Sequence, residues 1–182
     1  PTDIPAVVSW AWDFGDGGIS TEMDPQHVYI VAGTYNVSLT IVDTMAATNT
    51  ITKQIVVNPL PVALFSIETP TCESNDVQFH DHSTTPTGFI TSWLWDFGDG
   101  NTQTVNFPDN PDITYQYATI GTYTVTLTIT NSDSCENSTQ NPVTIIASPT
   151  AMFTHTEGCE STPIDFTDTS IENGGGTIVT YD

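Results

Sequence analysis

"WAWDFGDGG" at residues 10–18 returns as "WLWDFGDGN" at residues 93–101, 83 residues later. Downstream, "HVYIVAGTYNVSLTIVD" (27–43) is answered by "YQYATIGTYTVTLTITN" (115–131) at an offset of 88, so the second copy carries five extra residues within "NTQTVNFPDNPDIT". A different pair follows: "PVALFSIETPTCESNDVQFHDHS" (61–83) matches "PTAMFTHTEGCESTPIDFTDTS" (149–170), setting Cys72 against Cys159 and Phe79 against Phe166. Self-similarity at a fixed period marks a tandem of units. The expected organisation is the C-terminal part of one unit (1–59), a complete unit (60–148) and the N-terminal part of a further unit (149–182). The boundaries fall at "VVNPLPVALF" and "IIASPTAMF", where Pro59, Pro61 and Pro149 punctuate a link of a few residues. Such links restrict bending and favour a stiff rod, and the stretch is expected to be a window on a longer array.

The chain has 182 residues and is 37% hydrophobic, with no apolar run long enough to span a bilayer, so no direct membrane insertion is expected. Asp and Glu number 22 against one basic residue, Lys53, for a formal net charge of −21. Nucleic acid needs Lys and Arg against its phosphates, and that partner is excluded. The acidity fits a solvated surface that repels its neighbours or collects divalent cations. With abundant Ser and Thr it points to an extracellular, cell-surface setting. The first residues, "PTDIPAVVSW", have neither the basic start nor the apolar centre of a signal peptide.

Strand periodicity dominates. Tyr123, Val125, Leu127 and Ile129 alternate with Thr124, Thr126, Thr128 and Thr130, which predicts one core face and one wet threonine face; Tyr35, Val37, Leu39 and Ile41 repeat the pattern. Several such strands in a unit of under about 100 residues predict tandem antiparallel β-sandwiches of immunoglobulin-like type. Trp93, Trp95 and Phe97 are spaced by two and leave one side of a strand, so all three are core candidates. The expected core comprises Trp12, Trp95, Phe14, Phe97, Tyr35 and Tyr123, with Trp10 and Trp93 nearer an edge. The glycine and tyrosine of "AGTYNV" and "IGTYTV" resemble a tyrosine corner, with Val37 and Val125 where an antibody domain has cysteine. Of the three cysteines, Cys72 and Cys135 are expected to pair within the complete unit, closing a loop of about 63 residues and stabilising it by about 4 kcal/mol. Cys159 is left unpaired in this window, and the first copy has Ala47 opposite Cys135.

The string W-x-W-D-F-G-D-G, then H/Y-x-Y-x-x-x-G-x-Y-x-V-x-L-x-I, preceded by P-x-A-x-F and F-x-D-x-S, resembles the polycystic-kidney-disease (PKD) domain over essentially the whole chain. The resemblance implies a seven-stranded immunoglobulin-like sandwich used as a spacer or interaction module, without catalysis of its own. His27 of the H-x-Y element becomes Tyr115 in the second copy, a departure that puts an essential role for the histidine in doubt. The cysteine-bearing, lysine-poor, threonine-rich tandem form is similar to the large secreted adhesins of Bacteroidota, including gliding-motility filaments exported by the type IX system.

Several residues are candidates for chemistry. Asp13, Asp16, Asp96 and Asp99 lie in the turns and could ligate Ca²⁺, the one ion suggested, no cofactor being required; alternatively they cap turn amides. His80 and His82 share a face and could hold zinc, but further ligands are not evident and the third unit has Thr167 and Thr169 instead. Thr44, in Asp43-Thr44-Met45, resembles a Bacteroidota O-glycosylation acceptor, and Asn36 and Asn137 begin N-glycosylation sequons. No nucleophile–base set, G-x-S-x-G, H-E-x-x-H or P-loop occurs, and no enzyme is expected. Two functions remain open: a rigid shaft that supports adhesion or motility, contacting neighbouring repeats, or an accessory module of a secreted hydrolase. The latter would hold polysaccharide, surface glycans or cell-surface proteins through Trp10, Trp93 or the insert around Phe107.

Overall fold

A computed structural model describes residues 6–68, 72–73 and 75–173. The described elements are strands: β1 (Val7–Asp13), β2 (Ile19–Ser20), β3 (Gly33–Asp43), β4 (Thr48–Val57), β5 (Phe65–Ile67), β6 (Asp76–Asp81), β7 (Ile90–Asp96), β8 (Thr102–Asn106), β9 (Ile113–Gln116), β10 (Gly121–Asn131), β11 (Glu136–Ile145), β12 (Phe153–His155) and β13 (Phe166–Asp168). Every pairing between them is antiparallel.

The seven strands β5 to β11 make two sheets, ordered β11-β10-β7-β8 and β5-β6-β9. On β10 the alternation read from the sequence is realised: Val125, Leu127 and Ile129 are fully buried, while their threonine neighbours are exposed or half-buried. These residues pack with Trp95, Phe79, Phe65 and Phe97 between the sheets, where aromatic rings meet at tilted or edge-to-face angles. All buried members of this core lie between Ala63 and Ile145, so the unit contains its own apolar interior. Burying that surface is the main favourable term in its folding.

The strands of residues 7–57 repeat one of those sheets. Their order β2-β1-β3-β4 maps onto β8-β7-β10-β11, and the register is conserved: Trp12 stands opposite Leu39 as Trp95 stands opposite Leu127. Among the described residues no second sheet covers this one, which leaves Trp10, Trp12, Val37 and Leu39 half-buried and only Phe14 buried. The β12–β13 hairpin repeats β5–β6 in the same way, with Phe153 opposite Asp168 where Phe65 is opposite Asp81. β4 and β11 are edge strands of ten residues each.

The expected Cys72–Cys135 disulfide is overturned by this topology. Cys72 forms a parallel bridge with Ile146, just past the C-terminal end of β11, whereas Cys135 sits in the tight turn between β10 and β11. The ten residues of β11 lie between those two ends, eleven steps of about 3.3 Å or about 36 Å. A disulfide needs Cα atoms about 4.4–6.8 Å apart, and both thiols are free.

Candidate functional site

The recurring W-x-W-D-F-G-D-G ends one strand of each sheet in a hairpin. Phe97 N–H donates to the Asn101 carbonyl (3.1 Å) and Phe14 N–H to the Gly18 carbonyl (3.0 Å). Each aspartate accepts from a backbone amide two residues on, as short polar side chains do in turns. Asp96 Oδ1 takes Gly98 N–H (2.9 Å) and Asp99 Oδ1 takes Asn101 N–H (3.0 Å), while Asp13 and Asp16 do the same for Gly15 and Gly18. Gly98 has φ +76° and lies against the β10 backbone, where an added Cβ would stand 2.5 Å from the Thr124 carbonyl oxygen. Only glycine fits.

A ring then closes on the turn from the H/Y-x-Y element. In the complete unit Tyr115 stacks on Phe97 with centroids 3.7 Å apart and donates its hydroxyl to Asp99 Oδ2 at 2.6 Å. In the first sheet His27 stacks on Phe14 at 4.0 Å with its Nε2 2.7 Å from Asp16 Oδ2. The His-to-Tyr change therefore preserves both contacts: a flat ring on the phenylalanine and a polar atom on the second aspartate. Two residues on, Tyr117 donates to the Phe97 carbonyl and Tyr29 to the Phe14 carbonyl, both at 3.0 Å. Tyr123 reaches the Thr119 carbonyl (2.9 Å) and Tyr35 the Val31 carbonyl (2.6 Å), four residues upstream, which is the tyrosine corner read from the sequence.

The electrostatics follow from these contacts. Burial drives the Tyr117 phenol well above its ordinary range. Burial also acts to raise Asp99, but hydrogen bonds from the Tyr115 hydroxyl and the Asn101 amides outweigh it and hold the carboxyl below its ordinary value. Asp16 is held low chiefly by its hydrogen bond to His27. Thus Oδ1 of all four candidate calcium ligands is engaged with backbone, and Oδ2 of Asp16 and Asp99 with a ring. Among the described residues no three His, Cys, Asp or Glu side chains gather as a metal-holding group.

Other candidates are placed individually. His80 sits between Glu68 (3.0 Å) and Asp112 (3.2 Å), and His82 Nε2 meets Ser66 Oγ at 2.8 Å, so the rings on which a zinc reading rested are held by carboxylates and a hydroxyl. The Asp112 bond first, then Glu68, raises the His80 pKa above its ordinary value. Nothing in the local sequence signalled this cluster, because its members come from β6 and from the segments flanking β5 and β9. Trp93 is buried, with its indole N–H on Asp81 Oδ2 at 2.9 Å, which removes it as an exposed sugar platform. Trp95 is fully buried and its indole N–H has no partner. Phe89 and Phe107 form an exposed aromatic pair instead, 5.0 Å between centroids, with Phe107 inside the stretch that carries the five extra residues. Thr44 is exposed in the β3–β4 turn, whereas the Asn137 amide nitrogen is occupied by the Pro61 carbonyl at 2.8 Å.

Two facing antiparallel sheets, a tyrosine corner and a ring-locked hairpin define an immunoglobulin-like β-sandwich module. A family model described as "PKD domain" matches residues 2–57 and again 58–146, and the chain belongs to that family. It is 44% identical over 54 residues to a microbial collagenase of Vibrio alginolyticus, covering 30% of this chain and 7% of the relative. It is 36% identical over 85 residues to collagenase ColA of Bacillus cereus, covering 46% and 8%. The chain thus spans under a tenth of the length of either curated relative. Among solved structures, the PKD1 domain of Vibrio cholerae metalloprotease PrtV is 31% identical with a TM-score of 0.42, covering 48% of this chain and 98% of that one. Among the described residues no helix is long and apolar enough to cross a membrane.

Proposed function

We propose that the chain is a non-catalytic segment of an extracellular protein in which PKD units act as rigid spacers, shaping a shaft that carries adhesive or motile parts at the cell surface. The observation that carries this is the reuse of one sheet, with the same order and register, across a link of a few residues. The residues that looked chemical in the sequence are spent on holding the turn: aspartate on backbone amides, ring on phenylalanine, hydroxyl on carbonyl. Small-angle scattering of chains with two, three and four units tests the spacer role. Maximum dimension should grow linearly by one unit length per unit, and a compact particle whose dimension grows more slowly would exclude a shaft.

A second reading is favoured by the exposed Phe89–Phe107 pair and by the collagenases among the relatives: an accessory module that holds a polymer for a hydrolase. Its test is co-sedimentation with insoluble collagen and polysaccharides. Retention that disappears in a Phe89→Ala, Phe107→Ala double variant would support it, and absence of retention would remove it.

A further inference from the structure

We propose that the cysteines of this chain form disulfides between consecutive units, with the Cys72 position of one unit bonded to the Cys135 position of the next. The proposal rests on the tandem-array reading. Within a unit the two sulfurs stand at opposite poles, separated by the length of β11, and those poles are where the chain enters and leaves. At the exit, Cys72 bridges Ile146 and Glu73 N–H donates to the Ile146 carbonyl at 2.8 Å. At the entrance, the Pro61 carbonyl accepts from Asn137, two residues along β11 from Cys135.

The link itself brings the poles together. Pro149 matches Pro61 and follows Ile146 by three residues, a span of at most about 10 Å. The entrance of the following unit, with the residue matching Cys135, therefore lies beside the exit that holds Cys72. Thr150 pairs with Ile171 as Val62 pairs with Thr84, so the following unit opens with the same local pairing. Solvent access is consistent: Cys72 and Cys135 are half-buried and Cys159, at the Cys72 position of the third unit, is exposed, whereas free cysteines that only fill space are among the most buried residues. Ala47 stands at the Cys135 position of the first unit. A unit preceding it would then have no use for cysteine at the Cys72 position.

The chemistry needs an oxidant, a small-molecule disulfide such as oxidised glutathione. The Cys72 thiolate attacks it, forming a mixed disulfide and releasing one reduced thiol. The thiolate at the Cys135 position of the next unit then attacks the Cys72 sulfur, forming the inter-unit S–S bond and expelling the second reduced thiol. Two protons leave the protein and two electrons reduce the oxidant.

The test uses two copies of residues 61–148 in tandem, which keeps the three-residue step from Ile146 to the next Pro61 and the complete core in each copy, incubated with reduced and oxidised glutathione and mapped by mass spectrometry without reduction. The expected result is a loss of two of four alkylatable thiols after the glutathione adducts are counted, with one linked peptide pair joining Cys72 of the first copy to Cys135 of the second. Cys72→Ser in the first copy should abolish that pair, while the same change in the second copy should leave it. Four thiols that remain alkylatable or carry glutathione only, or a bond between Cys72 and Cys135 of one copy, would overturn the proposal. Tryptophan emission confirms that each variant is folded. A failed shaft in scattering with a positive map would refute the spacer role and leave the cross-link standing.

Discussion

Replacing Gly98 by alanine should destabilise the complete unit by about 3 kcal/mol, and replacing Gly100 by about 1.5 kcal/mol. Both glycines have left-handed backbones, φ +76° and +94°, which cost an L-residue roughly 1–2 kcal/mol. They differ in surroundings. A Cβ at Gly98 would meet the Thr124 carbonyl oxygen at 2.5 Å and its nitrogen at 2.9 Å, while one at Gly100 would meet nothing within 4 Å. Thr124 is backbone in the middle of a paired sheet and cannot rotate aside, so the turn must lift from β10, an overpacking cost of about 1–3 kcal/mol. Native-state hydrogen exchange, read on peptides from β7 and β10 by mass spectrometry, isolates this unit from the first. At about 1.4 kcal/mol per factor of ten, amides that exchange through unfolding should speed up about 150-fold in Gly98→Ala and about 10-fold in Gly100→Ala. Gly15 and Gly17 should rank the same way, since a Cβ at Gly15 would stand 2.7 Å from the Asn36 carbonyl oxygen and one at Gly17 would meet nothing within 4 Å. Equal effects at Gly98 and Gly100 would refute the steric account of the turn.

Tyr117→Phe should cost about 1–3 kcal/mol by stranding the Phe97 carbonyl, measured by the same exchange experiment; an unchanged rate would mean that water reaches that oxygen. Because the folded-state pKa of His80 is raised, its stabilising effect is complete below about pH 6.5 and fades as pH rises through the raised value. His80→Gln should flatten that segment of the stability–pH curve, and a curve unaltered by the substitution would show that the Asp112 and Glu68 contacts contribute nothing. If the turn aspartates only cap amides, unfolding midpoints in calcium and in chelator should coincide at matched ionic strength, and Asp96→Asn, which keeps the acceptor oxygen, should be nearly neutral. A calcium-dependent rise lost in Asp96→Asn or Asp99→Asn would instead assign an ion to the turn.

Much of the fold was legible because it is written in local periodicity. Alternation on β10 gave its buried face, the spacing of Trp93, Trp95 and Phe97 gave one side of β7, and glycine followed by tyrosine gave the corner. What failed depended on where chain segments end. The separation of Cys72 from Cys135 says how large a loop would close, but only strand direction reveals that they occupy opposite poles. Trp93, a core candidate by its spacing, is buried as read, but its partner Asp81, twelve residues away on the facing sheet, which accepts the indole proton, was not signalled. The exchange of His27 for Tyr115 put an essential role for the histidine in doubt, and the contacts agree, since stacking on phenylalanine and reaching an aspartate are open to either ring; what the letters hid was that shared shape.

The long edge strands bear on how such segments behave when crowded. An unpaired strand of ten residues invites a neighbour to add to the sheet. On β11 Pro142 interrupts the row of donors, and on β4 the only cationic residue of the chain, Lys53, stands one position earlier, at the place matching Asn141. Each sheet therefore carries its own guard against self-association, in an otherwise anionic surface that repels its copies. Copies of the chain can then be crowded together without zipping into fibrils.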